Sequence, residues 1–219
     1  MNVFDIIGPV MIGPSSSHTA GAARIGKIAR LIVGKAIKEA HLYLHGSFAK
    51  TYRGHGTDKA LVGGILGMDP DDIRIRDSLE LANEANINVI FEEGLIDGAH
   101  PNTVRITLTD IDGIKTEVLG SSIGGGNILI NKINGMDVSL SGQCPTLIVM
   151  HDDRPGTIAE VATFVASFGV NICNFKLNRM EKGGVAIMCI EIDNEIDETI
   201  NAQIQKMPNI IQSIYLAMR

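Results

Sequence analysis

Tryptophan is absent from this sequence of 219 residues, and aromatic residues make up only 4% of it. A hydrophobic core must therefore be built from Ile, Val, Leu, Ala and Met side chains. Clusters of Lys and Arg are also lacking, and the formal net charge is −6. Because such a surface repels phosphate backbones and anionic lipids, we expect neither a nucleic acid nor a membrane as a partner.

Targeting and membrane-spanning signals are lacking as well. The first residues, MNVFDIIGPVMIG, have neither a basic region nor a long apolar stretch, so we expect no signal peptide. No apolar run reaches the length needed to span a bilayer. The three cysteines, Cys144, Cys173 and Cys189, are odd in number and widely spaced, as is typical of reduced thiols. These features predict a cytoplasmic protein.

The sequence pattern changes near residues 141–146, from Gly-rich polar motifs between periodic segments to a compact alternation of strands and helices. This change predicts one domain over residues 1–143 and a second over residues 144–219. In the first domain, apolar periodicity predicts four helices and four strands. The helices are expected near residues 19–33, 47–52, 57–66 and 77–86, and the strands near residues 40–45, 88–92, 103–109 and 114–119. With a tight turn predicted at Asn134-Gly135, this domain is expected to be α+β with a largely antiparallel sheet.

The second domain has the apolar pattern of strand, helix, strand, strand, helix, strand, beginning with the buried strand TLIVM at 146–150. The order βαββαβ predicts a ferredoxin-like sandwich with both helices on one face of the sheet. Its loops HDDRPG and GVNI, starting at His151 and Gly169, resemble those of the ACT domain, a small-molecule-sensing module. Free backbone N–H groups at the start of the first helix would attract a carboxylate. The expected effector-binding residues are His151, Asp153, Gly156 and Asn171.

Four polar motifs carry the chemistry of the first domain: GPSSSHTAG from Gly13, HGSFAK from His45 with GHGTD following from Gly54, HPNT from His100, and GSSIGGGN from Gly120. Taken singly, each motif is weak, and the serine-rich one is equally typical of a helix N-cap. The glycine-rich one lacks the ending of a P-loop and the spacing of a dinucleotide fingerprint. No HExxH or zinc-finger spacing occurs, so no metal is expected on this chain alone.

Taken together and in this order, the motifs resemble the β subunit of bacterial iron–sulfur L-serine dehydratases over essentially the whole chain. The resemblance implies that the first domain is similar to the allosteric substrate-binding domain of some phosphoglycerate dehydrogenases. It also implies that a separate α subunit supplies the cysteines for a [4Fe–4S] cluster, and that the complex converts L-serine to pyruvate and ammonia. The three cysteines of this chain do not form a cluster-binding set, so the chain alone is expected to be inactive.

The resemblance further implies roles for individual residues. His18 is the candidate base for the α-proton of serine, while the iron of the partner's cluster acts as a Lewis acid on the substrate. Expected substrate-binding residues are Ser15, Ser16, Ser17 and Thr19, with His55, Thr57, His100, Asn102 and Ser121 lining the site. Two alternatives stay open: a purely regulatory amino-acid-sensing subunit, and a stand-alone metabolite-binding dimer. The ACT domain is expected to self-associate and to bind a small amino acid.

Overall fold

The computed structural model describes residues 10–217, and the chain divides into two compact units between Asn134 and Gly135. This division comes earlier in the chain than residue 144, where the domain boundary is expected. The boundary at residue 144 stays a prediction. Within residues 10–217, no helix combines the length and the apolar character needed to cross a bilayer.

The helical part of the first unit begins with a π-helical turn, Ser16–Gly21, which continues into α1, Ala22–Val33. The single helix expected from residue 19 is therefore two segments of different pitch. Gly34 ends α1 in the left-handed region, where glycine carries no steric penalty. The other α-helices agree with the expected ones within a few residues: α2 (Gly46–His55), α3 (Thr57–Ile65) and α4 (Ser78–Glu84). A 3₁₀ turn, Ile73–Asp77, precedes α4 and was not expected.

Five strands of the larger sheet belong to the first unit: β1 (Ile37–His45), β2 (Asn88–Gly94), β3 (Asn102–Asp110), β4 (Lys115–Gly124) and β5 (Asn127–Ile133). Their order is β2-β1-β3-β4-β5. Only β1 and β2 are parallel, joined by the helical crossover, and the other neighbours are antiparallel. The expected α+β class with a largely antiparallel sheet is confirmed. Strand β5 was not anticipated.

Close packing of α1 against α3 fixes the position of the turn that precedes α1. A Cβ atom on Gly26 would lie 2.3 Å from the carbonyl oxygen of Leu61, and one on Gly64 would lie 2.0 Å from that of Ala23. Only glycine permits this approach of the two backbones. The apolar stripe of α1, represented by Ile25 and Ile32, is fully buried as its periodicity predicts.

The second unit begins at the expected tight turn, where Asn134 and Gly135 have positive φ values of 49° and 79°. Its elements are β6 (Met136–Leu140), β7 (Thr146–Asp152), α5 (Thr157–Ser167), β8 (Ile172–Arg179), β9 (Val185–Ile192), α6 (Glu198–Ile204) and β10 (Ile210–Leu216). The antiparallel sheet has the order β10-β7-β9-β8. The expected βαββαβ ferredoxin-like fold is confirmed, with one core that joins strand residues such as Leu147 and Ile190 to Val161 of α5 and Ile204 of α6.

Candidate active site around His18

His18 belongs to the π-helical turn, and its imidazole lies between the hydroxyl groups of two serines from outside that turn. Its Nδ1 is 3.2 Å from Ser15 Oγ, and its Nε2 is 3.1 Å from Ser47 Oγ at the start of α2. A hydroxyl can donate or accept, so either neutral tautomer of the ring is accommodated. Only 9% of His18 is exposed. The two contacts hold the ring in one orientation.

Local hydrogen bonding and two glycines explain the shape of this turn. The Ser15 hydroxyl accepts the backbone N–H of His18 at 3.3 Å, as an N-cap residue does. A Cβ on Gly21 would lie 2.1 Å from Ser122 Oγ of β4, and one on Gly13 would lie 2.2 Å from Thr19 Oγ1. The glycines at both ends of the motif therefore let the turn pack tightly without displacing its hydroxyl side chains.

Two aromatic rings complete the surroundings of His18. The Phe48 ring meets it edge to face at 5.3 Å between centroids, and the His55 ring does so at 4.9 Å. Burial, and to a smaller extent the positive charge of His55, lower the pKa of His18 below the ordinary 6.5, while the backbone of Ser47 acts in the opposite direction. His18 is therefore neutral at pH 7 and able to accept a proton.

The HPNT motif reaches this site through the backbone. Ser47 donates its N–H to the carbonyl oxygen of Pro101 at 2.7 Å, and Gly46 pairs with Asn102. A Cβ on Gly46, whose φ is 60°, would lie 2.5 Å from that same carbonyl oxygen. The start of α2 and the HPNT turn are thus held together by a contact that requires glycine.

The hydroxyl of Ser121 forms hydrogen bonds within the sheet and not with His18. Its Oγ is 2.8 Å from Thr103 Oγ1 and donates to Asn131 Oδ1 at 3.1 Å. Thr103 in turn donates to the carbonyl oxygen of His100 at 2.6 Å. Ser121 is 4% exposed, and these bonds give it a role in joining β3, β4 and β5.

The structure brings some of the expected site residues together directly and others only through the backbone. Ser15 and His55 contact His18, whereas Ser16 and Ser17 are half-buried in the same turn. Ser47 and Phe48 were not among the expected residues, although both belong to the HGSFAK motif. Four buried oxygens have no hydrogen-bond partner within residues 10–217: Thr19 Oγ1, Thr57 Oγ1, Asn102 Oδ1 and Ser122 Oγ. Since buried polar atoms are normally paired, these four oxygens have bonding capacity that no described residue uses.

The expected effector residues of the second unit lie at the ends of β7 and α5. Asp153 accepts hydrogen bonds from Arg179 and from the backbone N–H of Gly183, and both contacts hold its pKa below the usual range. Asn171 donates to Asp193 at 2.6 Å. His151 is 1% exposed and its Nε2 has no partner within the described residues. The Asp153 and Asn171 side chains are thus engaged within the unit, while the His151 ring has bonding capacity left.

Comparisons with known proteins decide the family. A family model described as the serine dehydratase beta chain matches residues 2–87, and one described as the AHAS small subunit-like ACT domain matches residues 147–212. The chain is 47% identical over 216 residues to the probable L-serine dehydratase, beta chain, of Bacillus subtilis, covering 99% of this chain and 98% of that protein. The chain belongs to the L-serine dehydratase beta-chain family. The resemblance stated from the motifs is confirmed.

A second member of the family and a more distantly related enzyme also align with more than nine-tenths of this chain. The L-serine dehydratase, beta chain, of Peptoniphilus asaccharolyticus is 41% identical over 204 residues, or 93% of this chain and 92% of that one. D-3-phosphoglycerate dehydrogenase of Methanocaldococcus jannaschii is 27% identical over 203 residues, which are 91% of this chain but only 37% of that enzyme. The expected similarity to part of a phosphoglycerate dehydrogenase is confirmed.

The cysteines of this family member do not fit an iron–sulfur cluster. Cys189 is buried in β9, where burial raises its pKa to about 12, so its thiol is a poor source of the thiolate that a cluster requires. Cys173 is exposed on β8, and Cys144 precedes β7. Among residues 10–217, no group of three or more His, Cys, Asp or Glu side chains is placed to hold a metal ion.

Proposed function

We propose that this chain supplies His18 as the base in an L-serine dehydratase that forms pyruvate and ammonia. The observation that carries the proposal is the geometry of His18: buried, neutral at pH 7, and held between the Ser15 and Ser47 hydroxyls. Burial, and to a smaller extent the charge of His55, lower the pKa of His18 and favour the neutral ring, which is the form that accepts a proton. Membership of the chain in a dehydratase family supports the same assignment.

In this proposal the chain's own residues prepare and perform one proton transfer. Neutral His18 accepts the α-proton of bound serine at its unprotonated ring nitrogen, where the substrate displaces the hydroxyl contact, and the N–H of the other nitrogen keeps its hydroxyl partner. Phe48 and His55 pack edge to face against the ring, and burial together with the charge of His55 favours its neutral form between turnovers. The resulting imidazolium then returns its proton to the product or to solvent.

The remaining chemistry belongs, in this proposal, to a separate alpha chain that holds a [4Fe–4S] cluster, because the cysteines of this chain do not fit one. None of the three cysteines is in a disulfide, which supports a cytoplasmic location for the complex. Anaerobic co-expression with the alpha chain, followed by an assay for pyruvate, tests the assignment. A complex that forms pyruvate without needing His18 would favour the purely regulatory role.

The pKa of His18 can be tested on this chain alone. We expect His18 to titrate below pH 6.5 in the full chain, because burial and the charge of His55 both disfavour the imidazolium. His55→Gln should move the midpoint upward, toward 6.5, because the charge contribution is removed while burial remains. Proton NMR of the histidine ring resonances from pH 4 to 8 measures both midpoints. His41→Gln, a replacement on β1 where His41 pairs with Glu92, should leave the His18 curve unchanged. A midpoint at or above 6.5 in the unmodified chain contradicts the proposed environment.

The second unit is, in this proposal, a self-associating ACT domain that binds a small amino acid. Strand β8 is at the edge of its sheet, and its Phe175 and Leu177 side chains are 38% and 40% exposed, whereas Lys176 between them is half-buried. An unpaired edge with an exposed apolar face favours pairing with a second copy. For the effector, the supporting observation is His151 Nε2, which is buried and has no hydrogen-bond partner among residues 10–217.

Calorimetry of the full chain with L-serine and a panel of small amino acids is expected to give a saturable heat for at least one ligand. Asn171→Ala should weaken that binding, since its amide orders the loop after α5 through Asp193. Asp153→Asn should strengthen binding of a carboxylate ligand, since it removes a like charge. Gln203→Ala, which removes an exposed amide on α6, is the matched control and should change nothing. Absence of heat with every ligand, together with a monomeric elution profile, would identify the unit as a docking element.

A further inference from the structure

Two of the three cysteines meet at one end of the sheet of the second unit. The backbone N–H of Ile192, the last residue of β9, donates to the carbonyl oxygen of Pro145 at 2.9 Å, which places Cys144 just before β7 on one side of β9. On the other side of β9, Ile172 pairs with the same Ile192, and the register of β8 shifts directly after it. Cys173 is the extra residue of this β-bulge on the edge strand.

The thiols of these two cysteines are in contact, and solvent reaches them. A side-chain hydrogen bond joins the thiol of Cys144 to that of Cys173. Cys173 is exposed and Cys144 is partly exposed, whereas Cys189 is buried and its pKa is raised to about 12. Since oxidation of a thiol depends on its exposure and its thiolate character, an oxidant in solution meets the first two thiols and not the third.

Both cysteines lie in segments that can adjust to a covalent bond. A disulfide joins its sulfur atoms at about 2 Å, which is shorter than any hydrogen bond, so the two side chains must move closer together. The extra residue of a β-bulge is not paired in the ladder, and Cys144 lies in the connection between β6 and β7, outside any strand. A small shift of either cysteine therefore leaves the paired residues of the ladder in place.

The charges around Cys173 favour one kind of oxidant. Desolvation and the neighbouring Cys144 thiol raise the pKa of Cys173, and two carboxylates raise it further. These carboxylates belong to Asp193 and Glu191. Cys173 is therefore mainly a thiol at pH 7, and the same carboxylates repel an anionic oxidant. A small neutral oxidant, such as hydrogen peroxide, is not repelled.

We propose that Cys144 and Cys173 form a peroxide-reactive pair that closes an intramolecular disulfide within the native second unit. The Cys173 thiolate attacks one oxygen of hydrogen peroxide, the O–O bond breaks, and the departing hydroxide takes up the proton of Cys173 and leaves as water. The Cys144 thiolate then attacks the sulfur of the resulting sulfenic acid, which forms the S–S bond and releases a second water. The two cysteines lose two protons and two electrons, and the peroxide is reduced to water.

Treatment of the reduced full chain with hydrogen peroxide at low molar excess tests this pair without any assay of turnover. Of the three thiols of the unmodified chain, two should be lost, and peptide mapping without reductant should find Cys144 joined to Cys173. Cys144→Ser should instead accumulate a sulfenic acid on Cys173 that dimedone labels, because the second thiol is missing. Cys189→Ala is the matched control and should form the same disulfide as the unmodified chain.

The bond should also stabilise the native chain. It closes a loop of about 30 residues, so it should raise the midpoint of thermal unfolding by roughly 5 °C or more, and dithiothreitol should reverse the rise. Retention of all three thiols, a disulfide only between two chains, or a disulfide that lowers the midpoint would each overturn the proposal. Equal dimedone labelling of Cys173 in the unmodified chain and in Cys144→Ser would overturn it too, because Cys144 would then not close the bond.

Discussion

Replacing His18 by Ala in the reconstituted complex is expected to lower kcat by about 10²- to 10⁴-fold, the usual contribution of a positioned general base. The physical reason is that the neutral His18 ring, held between the Ser15 and Ser47 hydroxyls, is the group proposed to accept the proton, and Ala supplies no replacement for it. Because the side chain is 9% exposed and packs on Phe48 and His55, Ala also leaves a space. His18→Gln, which fills more of that space without supplying a base of suitable pKa, should be impaired to a similar degree.

The measurement is pyruvate formation under saturating L-serine, with iron content and subunit stoichiometry determined on the same preparations. Both of these should match the unmodified complex, since His18 is expected to move a proton and not to join the chains. His41→Ala removes another histidine of the same unit, at a site paired with Glu92 on the sheet, and should keep full activity. A loss of less than about fivefold in both His18 variants would exclude His18 as the base and favour the regulatory role.

The elements of the fold that sequence could predict are those with a strong local period. The apolar stripe of α1 and the alternation of β1 each depend on residues close in the chain. Periodicity does not assign the GSSIGGGN motif to a helix or a strand, yet most of it belongs to the β4–β5 hairpin. Gly120 is glycine because Ile25 and Ile130 fill the place of its Cβ, at 2.8 and 2.9 Å, and Gly124, Gly125 and Gly126 form the turn with positive φ. The packing that requires glycine at position 120 joins residues distant in the chain, so it cannot be read from local sequence.

The candidate site shows the same limit. His18 could be chosen from its motif, but its partner Ser47 is 29 residues away along the chain, and periodicity does not say which turns meet. Ser47 follows a glycine at the start of a helix, a position where serine is ordinary. To identify Ser47 as the partner of His18, one must know that Gly46 contacts Pro101 and that α1 packs on α3. The packing of Ser16–Gly21 depends on an equally distant residue, because a Cβ on Gly21 would lie 2.1 Å from Ser122 Oγ of β4.

The chain purified alone is expected to be folded, colourless and unable to form pyruvate, and addition of the alpha chain under anaerobic conditions should restore turnover. The reason is chemical: Cys189 is held as a thiol by a pKa raised to about 12, and within residues 10–217 no other side chains gather to hold a metal. Absorption near 400 nm, iron analysis and the pyruvate assay measure the three properties. As a control, the variant Cys144→Ser, Cys173→Ser, Cys189→Ala should assemble into a complex with unchanged iron content. A brown preparation of this chain alone with about four irons per chain, or loss of iron from the complex in the triple variant, would place the cluster on this chain and overturn the division of roles between the two subunits.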